Sequence, residues 1–209
     1  MGRFRSFFFI LAVLAFGAPS VQAQTANVEA GASDALQANA IGFIQSLGNQ
    51  AVAIVANKPS AQQRDVQFHD LLVKSFDLQT IGHFVMGRSW NTATPAQQQE
   101  YMRLFEGLIV RTYGDRLSLY TGENFHAKGA RAESEKDIIV NSEITHPDGS
   151  APTTIDWRLR LKDQQLKVID VVVEGVSLSV TQRQEYASVI QQSGIDGLLA
   201  LMQKRLDGA

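Results

Sequence analysis

The feature that most constrains this chain is a change in the spacing of its apolar residues near Phe125. Ahead of that residue, apolar side chains recur at helical spacing, whereas from Phe125 to Val173 they alternate with polar ones. After Ser179 the helical spacing returns. An alternating block between helical blocks buries its apolar surface when helices cover one face of an antiparallel sheet, so the sequence predicts an α+β fold.

Four helices are predicted ahead of the sheet. The strongest start signal is Thr94-Pro95-Ala96-Gln97, because a threonine cap, a proline at the first helical position and a glutamine at the third form a capping box. This helix is predicted to run to about Tyr120. The other predicted caps are Ser33, Ser60 and Asp77, and Gly87 is predicted to end the third helix. The stripe of the second helix is predicted to comprise Val66, Leu72, Val73 and Phe76.

The alternating block predicts a four-stranded antiparallel meander. Strands are expected at residues 125–132, 138–145, 154–161 and 166–173, with a turn at His146-Pro147-Asp148-Gly149 and a tight loop at Asp163-Gln164. Counting outward from that loop pairs Leu159 with Val168, Trp157 with Asp170 and Ile155 with Val172. Two further helices are predicted after the sheet, separated by Gly194.

Asp170 therefore stands out as a carboxylate predicted on an apolar face beside Trp157. Burial would raise its pKa and suit it to act as a general base. The alternative is a structural acceptor for backbone N–H groups, or a partner for an arginine such as Arg88 or Arg183. We prefer the structural role, because no second acid, Tyr–Asp pair or histidine lies at a recognisable spacing.

Composition excludes several classes of function. A formal charge of -2 and a pI of about 6.1 provide no positive field for a nucleic acid. The absence of cysteine excludes disulfides, thiol catalysis and iron–sulfur clusters. The four histidines are scattered, so no metal site is predicted. The segment from Gly82 to Ser89 approximates a phosphate-binding loop, but it lies within a predicted amphipathic helix rather than after a strand.

The first residues are typical of a secretory signal peptide. Arg3 and Arg5 precede an apolar run from Phe7 to Phe16, and Val21-Gln22-Ala23 supplies a small-residue cleavage site. We predict a signal peptide at 1–23, a flexible leader at 24–32 and a single domain at 33–209. The alternative is an uncleaved anchor. The predicted location is the periplasm.

The ordered motifs resemble those of the MlaC-type periplasmic phospholipid-binding proteins, also called toluene-tolerance or ABC-transporter auxiliary proteins. The resemblance covers roughly residues 41–206. It rests on Phe76-Asp77, Gly87-Arg88-Ser89-Trp90, Thr94-Pro95-Ala96-Gln97 with Tyr101, Phe105 and Tyr113 along the helix, the block at 168–178, and Gly194-Ile195-Asp196-Gly197-Leu198. The most specific part is Val173-Glu174-Gly175-Val176-Ser177-Leu178. One departure is Thr181-Gln182-Arg183, where many members have Asn-Tyr-Arg.

The resemblance implies a monomeric carrier on an NTF2-like or MlaC-like fold, with helices and a curved sheet enclosing an apolar lipid cavity. Its cargo would be a phospholipid, with a hopanoid as the open alternative, and no cofactor or catalysis is implied. Its partners would be an outer-membrane lipoprotein–porin complex and the ring-forming lipid-binding subunit of an inner-membrane ABC transporter. Two other hypotheses stay open: an NTF2-like enzyme with Asp170 as base, and a module that only docks proteins.

On this interpretation a set of apolar residues is predicted to contact lipid. Its members are Phe84, Val85, Leu104, Phe105, Leu108, Tyr120, Ile155, Trp157, Leu159, Val172, Val176 and Tyr186. Asp170 and Arg88 are predicted to be structural polar residues. The sequence does not distinguish an open cavity from a filled core.

Overall fold

The computed structural model describes residues 21–57, 60–117 and 122–208, with side chains from residue 34 to residue 116 except 58–59, and again from 122 to 208. The predicted signal sequence upstream of residue 21 and Tyr120 lie outside the described residues. The elements in chain order are α1 (Val21–Ala56), α2 (Ala61–Ser75), α3 (Leu78–Met86), a 3-10 helix (Gly87–Thr92), α4 (Pro95–Leu117), β1 (Asn124–Ala132), β2 (Asp137–Thr145), β3 (Thr153–Lys162), β4 (Gln165–Val173), β5 (Val176–Ser177) and α5 (Leu178–Gly208). The α+β class is confirmed, with one short strand more than predicted.

The predicted helix caps are largely confirmed. At α4 the Gln97 N–H donates to Thr94 Oγ1 at 3.2 Å, and the Thr94 N–H donates to Gln97 Oε1 at 2.9 Å. Ser60 forms the equivalent capping box at α2. Asp77 accepts from the Thr80 N–H at 3.0 Å. Gly87 ends α3 with a φ of 59°, a left-handed conformation that glycine adopts without a side-chain clash.

The start of α1 is a correction. The helix begins at Val21 rather than at Ser33, and it includes residues 24–32, which were predicted to be a flexible leader. The segment contains Ala26, Ala30 and Ala32. Alanine has the highest helix propensity, and adding turns to an existing helix avoids the cost of a new nucleus. Cleavage after Ala23 stays a prediction.

The apolar stripe of α2 also differs from the prediction. Val66 and Val73 are 57% and 46% exposed, so neither belongs to the core. Leu72 is buried as predicted, and the other buried apolar positions are Phe68 and Leu71. The buried face of the helix is therefore rotated away from Val66 and Val73, and it packs in the cluster under the sheet.

The sheet is an antiparallel meander in the order β1-β2-β3-β4-β5. Leu159 pairs with Val168 as predicted, but a bulge between Arg158 and Leu159 shifts the register beyond it. Trp157 therefore pairs with Val171 rather than Asp170, and Ile155 pairs with Val173 rather than Val172. Side chains alternate between the two faces of a sheet. The extra residue on β4 therefore places every later side chain of that strand on the face opposite to the predicted one.

Two clusters of buried residues hold the fold together. One lies where α1 and α2 cover the sheet and includes Ile44, Leu72 and Leu159. The other lies among α3, α4 and α5 and includes Tyr101 and Leu198. The kink of α5 at Gly194, with a φ of 71°, confirms the predicted break and lets both halves of α5 pack on this second cluster.

Candidate functional site

A cavity of about 590 Å³ lies between the sheet and helices α1 to α4. Its walls are apolar and come from every layer of the fold. The apolar lining consists of Leu47, Ala51, Val52, Phe68, Leu71, Leu72, Phe76, Leu78, Ile81, Val85, Phe105, Ile109, Tyr113, Phe125, Ile144, Ile155, Trp157, Val171, Val173 and Leu178. Its size is within the range of about 300–1,000 Å³ that small-molecule sites occupy.

Four residues of the predicted lipid-contact set line this cavity: Val85, Phe105, Ile155 and Trp157. They come from α3, α4 and β3. The fold brings these four residues together, although up to 72 positions of sequence separate them. Direct contact of these four with lipid stays a prediction.

Three predicted residues lie in the helical cluster instead, because α5 covers that side of α4. Leu104 is fully buried there, Tyr186 is 3% exposed, and Leu108 packs against the same cluster. Leu159 lies on the same sheet face as Ile155 and Trp157, but it is fully buried in the core under α1 and α2. These four therefore do not line the cavity.

Three further predicted residues also lie away from the cavity wall. The β-bulge places Val172 on the opposite sheet face from Val171 and Val173, and Val176 is 56% exposed on β5. Phe84 is 40% exposed on α3, with the Arg183 guanidinium carbon 4.8 Å from its ring centroid. Tyr120 lies outside the described residues.

The indole of Trp157 shows how a partly polar side chain is accommodated in the wall. Its N–H donates to Ser142 Oγ at 2.9 Å, and that hydroxyl donates to the Ile155 carbonyl at 3.0 Å. Phe76 and Phe125 meet its ring edge-on, with centroids 6.5 and 6.1 Å away. The indole therefore presents apolar surface while its only donor is satisfied.

The wall residues that sequence reasoning missed come from all of the long helices and from strands β1, β2 and β4. Gly48 of α1 allows the helix to approach β1, because a Cβ there would lie 2.2 Å from Phe125 Cδ1. The sequence signal was an isolated glycine within a helical pattern, which often marks close packing. Nearby, the Gln45 amide bonds the Phe125 carbonyl at 3.1 Å and the Ala127 N–H at 2.9 Å, joining α1 to the edge strand.

Most of the polar lining residues collect at one end of the sheet, where β1 and β3 begin and β2 and β4 end. This group, which we call the mouth, consists of Arg116, Glu123, Asn124, His146 and Thr153. The other polar lining residues are Asp170, Ser179 and Gln182. His146 Nε2 lies 3.1 Å from Thr153 Oγ1, and the Arg116 guanidinium carbon lies 5.5 Å from the Tyr113 ring centroid. The cavity is thus apolar inside and polar at one end.

Asp170 lies beside the mouth, where β4 leads into β5 and α5. Its Oδ1 accepts from the Val171 and Ser179 N–H groups at 2.9 and 3.2 Å, and its Oδ2 accepts from Ser177 Oγ at 2.7 Å. Ser177 Oγ in turn accepts from the Val180 N–H at 3.1 Å. Of the two structural roles considered for Asp170, this arrangement matches the acceptor for backbone N–H groups. It places the carboxylate at the N-terminus of α5.

The arginine partners suggested for Asp170 are elsewhere. Arg183 lies over Phe84, and Arg88 is exposed on the 3-10 helix. The cross-strand neighbour Arg158 pairs with Glu133 at 2.7 Å. Asp170 is therefore held by hydroxyl and backbone donors.

The three tyrosines with described side chains are poor candidates for proton transfer. Burial raises the pKa of Tyr113, which lines the wall, and raises the pKa of Tyr186 to about 12. Burial also raises the pKa of Tyr101 far above its usual value, and its hydroxyl donates to the Gly82 carbonyl at 3.1 Å. All three are neutral phenols at physiological pH.

Among the described residues, none of the helices combines the length and the apolar character that a membrane span requires. No group of three or more histidine or carboxylate side chains in that part of the chain is arranged to hold a metal ion.

Comparison with known proteins gives consistent matches. The chain is 25% identical over 159 residues to the intermembrane phospholipid transport system binding protein MlaC of Haemophilus influenzae, covering 72% of this chain and 74% of the relative. It is also 25% identical over 158 residues to the toluene tolerance protein ttg2D of Pseudomonas putida, covering 73% of this chain and 71% of that protein.

A solved structure extends the comparison to three dimensions. The phospholipid-binding protein of Ralstonia solanacearum, determined in complex with a phospholipid, superposes with a TM-score of 0.72 at 26% identity. The match covers 79% of this chain and 96% of the other. The sequence profile described as MlaC protein matches residues 45–204, which is most of the chain. The protein therefore belongs to the MlaC family.

Proposed function

We propose that this protein is a periplasmic phospholipid carrier whose cavity holds the acyl chains and whose mouth leaves the headgroup at the surface. The observation that carries the proposal is the cavity of about 590 Å³ with apolar walls and polar residues at one end. A phospholipid has the same division between long apolar chains and a charged head. Transfer of chains from water is favourable by about 0.8 kcal/mol per buried CH₂.

The carrier passes lipid between an outer-membrane lipoprotein–porin complex and the lipid-binding ring of an inner-membrane ABC transporter. Support comes from the family and from the name of the Haemophilus relative, which places that protein in an intermembrane transport system. Export is supported by the predicted signal peptide, and N-terminal sequencing of the exported protein should find Gln24 as its first residue.

The proposed role is transport without catalysis. Asp170 is the candidate base, but its two oxygens already accept three hydrogen bonds at the start of α5. Three lone pairs of this carboxylate are therefore engaged by donors of the protein rather than by a cargo.

A matched pair of substitutions on α1 tests the cavity. Ala51 lines it, whereas Ala53, two residues along the same helix, is exposed. We expect Ala51→Trp to fold and to lose bound lipid, because the indole fills the slot. Ala53→Trp should retain lipid. Solvent extraction and mass spectrometry of each purified protein provide the measurement, with circular dichroism as the check on folding.

The outcomes distinguish the alternatives. Absence of any lipid from the wild-type protein would overturn the carrier proposal, and recovery of a hopanoid alone would change the cargo. Equal loading of both variants would show that the lipid binds elsewhere. Turnover of a sterol-like substrate that disappears in Asp170→Asn would favour the enzyme instead.

A further inference from the structure

A groove of about 280 Å³ lies at the end of the sheet away from the mouth, where β3 ends and β4 begins. It runs between the junction of α2 with α3 and the β3–β4 hairpin, which contributes Lys162, Gln165 and Lys167 to its lining. Two of its lining residues, Phe76 and Leu78, also line the apolar cavity. Because both volumes contact the same two side chains, these side chains form a partition between the cavity and the groove.

The strand register gives the depth of this partition. The backbone of Phe76 forms a bridge to Val168 on β4, and Val168 pairs with Leu159 on β3. Leu159 is six positions along β3 from Thr153 at the mouth, which is about 20 Å at the rise of a β-strand. One leaflet of the hydrocarbon core of a bilayer is about 15 Å thick. An acyl chain of ordinary length that enters at the mouth therefore ends near Phe76.

The backbone that carries the partition is fixed to the sheet. The Asp77 N–H donates to the Val168 carbonyl at 3.0 Å, and Lys162 Nζ donates to Asp77 Oδ2 at 2.9 Å. Asp77 lies between Phe76 and Leu78, so these two bonds attach the partition to both strands of the hairpin. Leu78 itself is only 7% exposed. Shortening the Leu78 side chain should therefore open a passage into the groove, because the fixed backbone limits how far the surroundings can close on the gap.

We infer that Phe76 and Leu78 form the floor of the cavity and limit the length of the acyl chains that it accepts. This inference rests on the proposed function, because it assigns a property of the proposed cargo. A chain longer than the cavity is deep leaves methylene groups outside the apolar walls. About two methylenes that stay in contact with water disfavour the longer chain about tenfold.

The test is a competition between two chain lengths with one headgroup. Delipidated protein is incubated with vesicles of equal parts dimyristoleoyl- and dierucoyl-phosphatidylglycerol, which carry monounsaturated chains of different length. The bound lipid is then extracted and quantified by mass spectrometry. We expect the wild-type protein to enrich the shorter lipid about tenfold over the vesicle ratio.

Truncations of Leu78 assign the length limit to the floor. Leu78→Ala should lower the enrichment about tenfold, to near the vesicle ratio, because the longer chain can extend into the groove. Leu78→Val is a milder truncation that should lower the enrichment by a smaller factor. It provides a second measurement if circular dichroism shows that the alanine variant does not fold.

Two comparison variants separate depth from width. Ile81 lies on the same helix as Leu78 and lines the cavity but not the groove. Ile81→Ala removes similar bulk, so it should widen the cavity while the preference for the shorter lipid stays. Val73 is 46% exposed and lines the groove but not the cavity, so Val73→Ala should match the wild type.

The inference and the proposed function fail in different ways. Wild-type protein that binds the two lipids in the vesicle ratio would overturn the length limit while leaving the carrier intact. The same holds for a preference that folded Leu78 variants keep, or that Ile81→Ala abolishes to the same extent. Wild-type protein that takes up neither lipid would overturn the carrier and the inference with it.

Discussion

Helix α4 separates two apolar regions that the fold completes differently. Toward α5, Tyr101 and Leu104 are fully buried in a filled cluster, with the Tyr101 ring 5.7 Å from Phe105 and 6.2 Å from Tyr186. Toward the sheet, Ile109 and Tyr113 border the cavity. Phe105 belongs to both regions. An apolar helix face thus specifies burial, but the opposing element decides whether the space is filled or left for a ligand.

The largest expected effect is a difference in stability loss between a substitution in the filled cluster and one at the cavity wall. Leu104→Ala should lower the free energy of unfolding by about 2–5 kcal/mol, because it creates a void in the filled cluster. Ile109→Ala should cost less, because this half-buried side chain already borders open volume. Urea denaturation of delipidated protein measures both. Equal losses would show that the cavity wall is packed as tightly as the cluster.

A second comparison uses two glycines of α1. Gly48→Ala should destabilise the protein by about 1–3 kcal/mol, because the new methyl would overlap the Phe125 ring at the cavity wall. Gly42 has no atom within 4 Å of a built Cβ, so Gly42→Ala should stabilise it by up to about 1 kcal/mol through helix propensity. Thermal denaturation compares the two. A stabilising Gly48→Ala would mean that α1 does not approach β1 so closely.

Asp170 tests the junction between the sheet and α5. Asp170→Ala should cost about 1–3 kcal/mol, because the Ser179 N–H and the Ser177 hydroxyl lose their acceptor. Asp170→Asn should cost less, because its amide oxygen can still accept one of these bonds. Denaturation midpoints measured together with lipid loading provide the check. An unchanged denaturation midpoint for Asp170→Ala would show that Asp170 does not stabilise the fold.

The smallest expected effect is a pH dependence of the ion pair between α2 and α4. Glu106 lies 2.5 Å from His69 Nε2, and this hydrogen bond raises the pKa of His69 above 6.5 despite some desolvation. The pair therefore stabilises the fold fully below pH 6.5, and the contribution is lost as the pH rises through the raised pKa. His69 is 43% exposed, so the contribution should be under about 1 kcal/mol.

Thermal denaturation of wild type and His69→Gln between about pH 5.5 and 8.5 measures this contribution. The difference should be largest at the acid end and should disappear at the alkaline end. His126→Gln, on an exposed position of β1, is the matched control. A difference that grows as the pH rises would contradict the assigned pairing.

Sequence alone determined the features that depend on neighbouring residues. The capping boxes at Ser60 and Thr94 need two residues three positions apart, and the break at Gly194 needs one residue that tolerates positive φ. The position of the loop at Asp163-Gln164 was also predicted from local chemistry, and both residues have positive φ. The family motifs are likewise contiguous segments, and the family was confirmed by comparison.

Tertiary structure decided which apolar residues form the cavity. The bulge on β4 opposite Arg158 and Leu159 placed Val171 and Val173 on the cavity face instead of Val172, and a single extra residue has no local signature strong enough to reveal it. Leu104 and Ile109 look alike in sequence, yet packing by α5 buries the first and leaves the second on the cavity wall. Periodicity identifies which face of an element is buried, but only the arrangement of the opposing elements fixes whether that face meets side chains or an open volume.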